Sequence, residues 1–113
     1  MKQVKAVIRP EKLSDVHKAL SCCDCYGGIM ISEITGQGNQ KGLIQAWRGE
    51  KYEVDLIPKV VIDLVVKDSD LDTVIKLILE NAYTGEIGDG KIFVYNVEKV
   101  VRIRTKDMDD AAI

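Results

Sequence analysis

Aromatic residues are scarce in this chain of 113 residues, at 5% of the total. The core must therefore be built mainly from Val, Ile and Leu. There is no basic excess: 16 Lys and Arg stand against 18 Asp and Glu, a formal net charge of −2. A general electrostatic grip on nucleic acid is thereby disfavoured. No apolar run reaches membrane-spanning length. The first ten residues lack the apolar stretch and small-residue cleavage site of a signal peptide, so a cytoplasmic location is expected. Cysteine is confined to Cys22, Cys23 and Cys25. An odd number in one cluster is no disulfide framework. A metal site needs about four ligands, and the nearest extra one is the lone His17. Three reduced thiols in a turn are expected, with metal binding or redox sensing as the alternative. No hydrolytic constellation is visible, because Ser and Cys have no evident base partner.

What is present is an ordinary globular composition, 46% hydrophobic, sized for one domain over residues 1–113. Lys2 to Ile8 alternates as a strand, with Val4, Ala6 and Ile8 on one face. Pro10 and Glu11 suit a first helical turn. Leu13, Val16 and Leu20 then recur at helical spacing. Gly27-Gly28 breaks that pattern, and Ile29 to Thr35 reads as a second strand. Leu56 to Val66 is a strongly apolar strand. Ser69 and Asp72 resemble a capping box, ahead of a helical stripe of Leu71, Val74, Ile75, Ile78, Leu79 and Ala82. Lys91 to Val97 is a fourth strand, and Val100 to Thr105 is a short fifth.

The two halves echo each other. Leu13, Val16, Lys18 and Leu20 match Leu71, Val74, Lys76 and Ile78 at an offset of 58. The order βαβ, repeated, predicts a ferredoxin-like α+β sandwich with two helices on one face of an antiparallel sheet. Fold alone does not give function.

Three segments carry the functional signal. Residues 36–55 open with Gly36, Gly38 and Gly42 and follow no sustained period, which reads as a long loop with extended arms. Loops beyond ~15 residues are uncommon in compact domains and are often functional. Residues 83–91 include Gly85, Gly88 and Gly90, followed by Lys91. Backbone N–H groups in such a turn can form an anion nest suited to phosphate; the bland alternative is a turn between helix and strand. The Walker A spacing is absent. In the C-terminal segment 100–113, Arg102 and Arg104 would share one strand face. They would then need anionic partners, either phosphates or nearby carboxylates.

Taken together, these motifs resemble the PII signal-transduction family over the whole chain. The matches are Ile8-Arg9-Pro10, Gly36 to Gly42, Arg48 to Lys59, Thr84 to Val94, and Val101 to Thr105. The resemblance implies a homotrimer with nucleotide sites in the clefts between subunits, where ATP or ADP binds. Gly88, Asp89, Gly90 and Lys91 would cradle phosphates, Arg102 and Arg104 would reach them from the neighbouring subunit, and Met30, Gly38 and Val65 would line the adenine and ribose region. Gln40 would hold Mg²⁺ with ATP and 2-oxoglutarate, and Lys59 would pair with a carboxylate of the oxo acid. The long segment 36–55 corresponds to the family's T-loop. Arg48 on it matches the arginine that plugs an ammonium transporter from its cytoplasmic face, in which case the protein would be held at a membrane through its partner. Tyr52 matches a site of uridylylation.

Glutamine synthetase, nitrogenase regulators and a uridylyltransferase are further partners the resemblance allows. Trp47, Asn39, Glu86 and Asp63 depart from common family residues. The resemblance implies a non-catalytic regulator. The competing readings are an energy sensor without a 2-oxoglutarate response, a weak nucleotide-hydrolysing enzyme, and an RNA-binding domain using Phe93 and Tyr95 on one strand face.

Overall fold

The computed structural model describes residues 1–37, 44–47, 50–53 and 56–113. Gly38, Gln40 and Arg48 lie outside them. The elements are β1 (Lys2–Ile8), α1 (Leu13–Ser21), β2 (Ile29–Gly36), β3 (Ile44–Trp47), β4 (Glu50–Glu53), β5 (Ile57–Val66), α2 (Leu71–Ala82) and β6 (Lys91–Asn96).

Four strands form one antiparallel sheet in the order β2-β5-β1-β6. This is the expected double βαβ arrangement. β1 and β5 are central, and their alternate residues point at the helices: Val4, Ala6 and Ile8 stand opposite Leu64, Ile62 and Val60. All six are buried. Val16 and Leu20 of α1, and Val74, Ile78 and Ala82 of α2, close over them. The two helices lie side by side on this one face. With so few aromatics, close packing falls on branched aliphatics. Truncation of Leu20 or Ile78 to Ala is therefore costly, at about 2–5 kcal/mol.

The other sheet face is mixed: Lys59 and Val61 of β5 are buried on it, and no helix among the described residues packs on it. Gln3, Lys5 and Val7 of β1 share it with Met30 and Ile34 of β2, Val65 of β5, and Phe93 and Tyr95 of β6. Met30, Ile34, Phe93 and Tyr95 are exposed. Within segment 36–55, β3 and β4 pair as an antiparallel hairpin, Ile44 with Glu53 through Trp47 with Glu50. The expected extended arms are thus two short strands, and Tyr52 lies in β4.

Three local expectations are corrected. The Ser69–Asp72 capping box does not form. The chain enters α2 through a 3₁₀ turn, Asp68–Asp70, so the N-cap residue Asp70 is already near helical geometry and no side chain caps it. The fifth strand is absent: Val101 makes one isolated bridge to Met108, and the chain turns between them. Lys106 and Asp109, both at positive φ, bend the segment back on itself before an extended ladder can grow. The cysteines are not three free thiols. Cys23 and Cys25 are disulfide-linked, with Cα atoms 5.2 Å apart, and Cys22 is free and exposed. Asp24, left-handed at φ 49°, folds the two cysteines toward each other.

Candidate functional site

The glycine-rich loop between α2 and β6 is held from within. Gly85, Gly88 and Gly90 all have positive φ, at 89°, 106° and 98°. Gly90 has no substitute, because a Cβ there would lie 1.7 Å from the carbonyl oxygen of Val7. The Asp89 carboxylate turns back into its own loop. It accepts the backbone N–H groups of Thr84 at 2.8 Å and Gly85 at 2.9 Å, and the Thr84 hydroxyl. That hydroxyl also accepts the N–H of Glu86 at 3.1 Å. These bonds from Thr84, joined by one from Arg9, hold the Asp89 carboxyl well below the usual carboxylate range.

Arg9 is the residue that the sequence left without a role. From the end of β1 it donates through Nε to Asp89 at 2.9 Å and through Nη2 to the carbonyl of Ile87 at 2.8 Å. The guanidinium fork thus fastens the loop to the sheet at two points. The only sequence sign of this was its place in the Ile8-Arg9-Pro10 motif; its partners lie about eighty positions away. Thr84 was missed as the loop's internal strut for the same reason.

Lys59 joins this group. Its Nζ donates to the carbonyl of Gly88. It is nearly covered, at 8% exposed. Burial, then the nearby Arg9 charge, pulls its pKa below that of an ordinary lysine, while Glu11 and Asp89 pull the other way. It lines a cavity of about 470 Å³ with Pro10, Glu33, Ile34, Thr35, Pro58 and Val60. Lys59, Gly88 and Asp89 are therefore one cluster, and Lys91 stands at the adjoining start of β6. Arg9, Lys59 and Lys91 gather on this side of the loop, where Arg9 is paired with Asp89 and lies 4.0 Å from Glu11.

Met30, Val65 and Arg102 meet elsewhere. They line a second cavity of about 370 Å³ with Gly27, Gly28, Leu64, Val100 and Ile113. Arg102 is tied to Asp107 at 3.2 Å and to the Ala111 carbonyl at 3.3 Å. Arg104 is exposed in the turn and does not share a strand face with Arg102, because no strand forms there. Gly27 and Ile113 were not foreseen in this wall.

The two clusters sit at opposite ends of one strand. Lys91 pairs with Val7, and Val65 pairs with Gln3, on the same sheet face. Four residues of β1, about 13 Å along the strand, separate their levels. Among the described residues no helix is long and apolar enough to cross a membrane, and no group of His, Cys, Asp and Glu side chains is arranged to hold a metal ion.

Comparison with known proteins agrees with this architecture along its length. Residues 1–107 match the family described as Nitrogen regulatory protein P-II. Nitrogen regulatory protein P-II 2 of Methanothermobacter thermautotrophicus is 47% identical over 113 residues, covering all of this chain and 97% of that protein. Nitrogen regulatory protein P-II 1 of Escherichia coli K12 is 49% identical over 113 residues, all of both chains. The protein of that name from Klebsiella oxytoca, P-II without a number, is also 49% identical over the full length of both chains. The chain belongs to the nitrogen regulatory protein P-II family.

Proposed function

We propose that this single-domain chain is a non-catalytic sensor of nitrogen and energy status that works as a homotrimer. One observation carries the reading. The glycine loop and the Met30–Val65–Arg102 wall lie at opposite ends of the same sheet face. A second copy meeting that face brings the loop of one subunit to the wall of the next, and the exposed Met30, Ile34, Phe93 and Tyr95 provide apolar surface for the contact.

ATP or ADP is the ligand in this reading. The phosphates rest on the N–H groups of Gly88 to Lys91, with Lys91 on one side and the neighbour's Arg102 and Arg104 on the other. The base lies against Met30 and Val65, next to Gly38. Mg²⁺ bound to ATP supplies a hard cation that the keto oxygen and carboxylate of 2-oxoglutarate can chelate. Gln40 holds that metal complex, and Lys59 receives the distal carboxylate in its cavity. Its burial, with no carboxylate in salt-bridge contact among the described residues, favours an arriving anion. 2-Oxoglutarate then binds only after Mg-ATP, and the exit direction of segment 36–55 follows the ligand.

Segment 36–55 is the output arm. Arg48, which follows β3 in the sequence, engages the cytoplasmic face of an ammonium transporter in this reading, and Tyr52 is the modification site. Titration calorimetry with ATP, ADP and 2-oxoglutarate, with and without Mg²⁺, tests the reading alongside sedimentation. The expected result is a trimer whose 2-oxoglutarate signal requires Mg-ATP and disappears in Lys59→Met. Nucleotide binding without any 2-oxoglutarate response would leave an energy sensor. A folded trimer that binds no nucleotide would overturn the proposal.

A further inference from the structure

We propose that Cys23 and Cys25 are a reversible thiol–disulfide pair whose state sets the wall of the cavity formed by Gly27, Gly28 and Ile113. The inference rests on the nucleotide reading only for its effect on ligand affinity.

Geometry supplies the pair. The Cα atoms are 5.2 Å apart, within the range that a disulfide spans. The left-handed Asp24 between them makes that approach. In this bridged form Cys25 Sγ lies 3.0 Å from the Cys23 carbonyl oxygen, an acceptor within reach of the thiol that reduction would generate. The two cysteines are anchored differently. Cys23 is still fastened to α1 through its N–H to Leu20 at 3.1 Å. Cys25 and Tyr26 pack against the edge of the core. Among the described residues, no backbone-to-backbone hydrogen bond outside the regular elements holds residues 24–28. The sulfur bridge is therefore the local cross-link of this turn.

That turn leads straight into the cavity. Gly27 lies so close to the chain's last residue that a Cβ on it would be 2.5 Å from the Ile113 carbonyl carbon. Gly27, Gly28, Ile113 and Arg102 all line the same space. Closing the bridge fixes the path from Cys23 to Gly27 and presses Gly27 on Ile113; opening it frees both. The oxidant is a low-molecular-weight disulfide. One protein thiolate attacks it and expels one small thiol, and the second attacks the mixed disulfide and expels the other. The two protein thiols lose two protons and two electrons in total, and the small disulfide takes them as two thiols.

The test uses the full chain, reduced and then treated with oxidised glutathione. Peptide mapping is expected to find a Cys23–Cys25 bridge in the wild type and in Cys22→Ser, and none in Cys23→Ser or Cys25→Ser. Hydrogen exchange is expected to slow at residues 26–29 and 110–113 on oxidation, and to stay unchanged in Cys25→Ser. ATP affinity is expected to shift about fivefold between the two states of the wild type alone, at the low end of typical coupling. A stable glutathione adduct without a bridge, or a bridge that leaves exchange at both segments unchanged, overturns the proposal. Mapping and exchange that behave as expected, with no nucleotide bound in either state, would uphold the switch and overturn the nucleotide reading instead.

Discussion

The glycine loop and the C-terminal segment, which the proposed assembly would bring together as two walls of one site, are held in different ways. The loop of residues 84–91 is fastened by side chains at almost every turn: Asp89 holds Thr84 and Gly85, Arg9 holds Asp89 and Ile87, and Lys59 holds Gly88. The segment 100–113 is held by bonds within itself: one isolated bridge, four backbone bonds, Arg102 to Asp107 and the Ala111 carbonyl, and the N–H groups of Val100 and Asp107 to Asp109 and Thr105. The first wall is preorganised, so a phosphate bound there as proposed would leave little ordering to oppose it. The second keeps its arginines near the surface, where binding must order them. The contrast predicts that mutations in the loop damage stability and binding together, while mutations in the tail separate the two.

Gly90→Ala is the strongest way to break the first wall. It puts a methyl group into the Val7 carbonyl at a positive φ, and the expected loss is about 3–5 kcal/mol. Urea unfolding at fixed protein concentration measures it. Arg9→Ala comes next, removing two of the three fastenings from outside the loop and leaving that of Lys59. About 1 kcal/mol of stability is expected to go, together with ATP affinity. Arg9→Lys restores one donor and is expected to recover part of both losses.

Acid provides a third probe. The Asp89 carboxyl is depressed in the folded chain from an ordinary value of 3.8. Its contribution is therefore fully present above that value and is lost as pH falls through the folded value. Unfolding followed from pH 6 downward is expected to show no loss from this group until roughly pH 4, and Asp89→Asn is expected to flatten the acid limb. The smallest structural effect is expected in the tail. Arg104→Ala should alter stability by less than about 0.5 kcal/mol, and Arg102→Ala, whose ion pair is partly exposed, by no more than about 1 kcal/mol. Both should still weaken ATP roughly tenfold or more through lost phosphate contacts. Equal stability losses in loop and tail would erase the distinction between the walls.

The same contrast governs what could be read from sequence. β1, α1, β2, β5, α2 and β6 were legible because each has an apolar period set by one packed face, as in Val4, Ala6 and Ile8. The glycines of the loop were legible because positive φ singles out residue types. Arg9 was not, since its value comes from a carboxylate that only the folded sheet brings near. The fifth strand failed because alternation at Val101, Ile103 and Thr105 reflects no burial: Ile103 is 94% exposed. The capping box failed because the spacing of Ser69 and Asp72 cannot reveal a 3₁₀ turn that occupies the cap position. The Cys23–Cys25 bridge depended on the backbone of Asp24, which composition does not report.

The position of β1 has a consequence for how the chain is made. This strand leaves the ribosome before the other strands of the sheet, yet its neighbours are β5 and β6. Ile8 must wait for Val60, more than fifty residues later, and Lys2 for both Val66 and Asn96. At synthesis rates of about 5–20 residues per second, the most central apolar strand stays unpaired for several seconds. Its partners are distant in sequence, so the sheet forms late and cooperatively rather than by local zippering. Nascent chains stopped before β5 would expose Val4, Ala6 and Ile8 and bind a chaperone, whereas chains extended past β6 would be released from it.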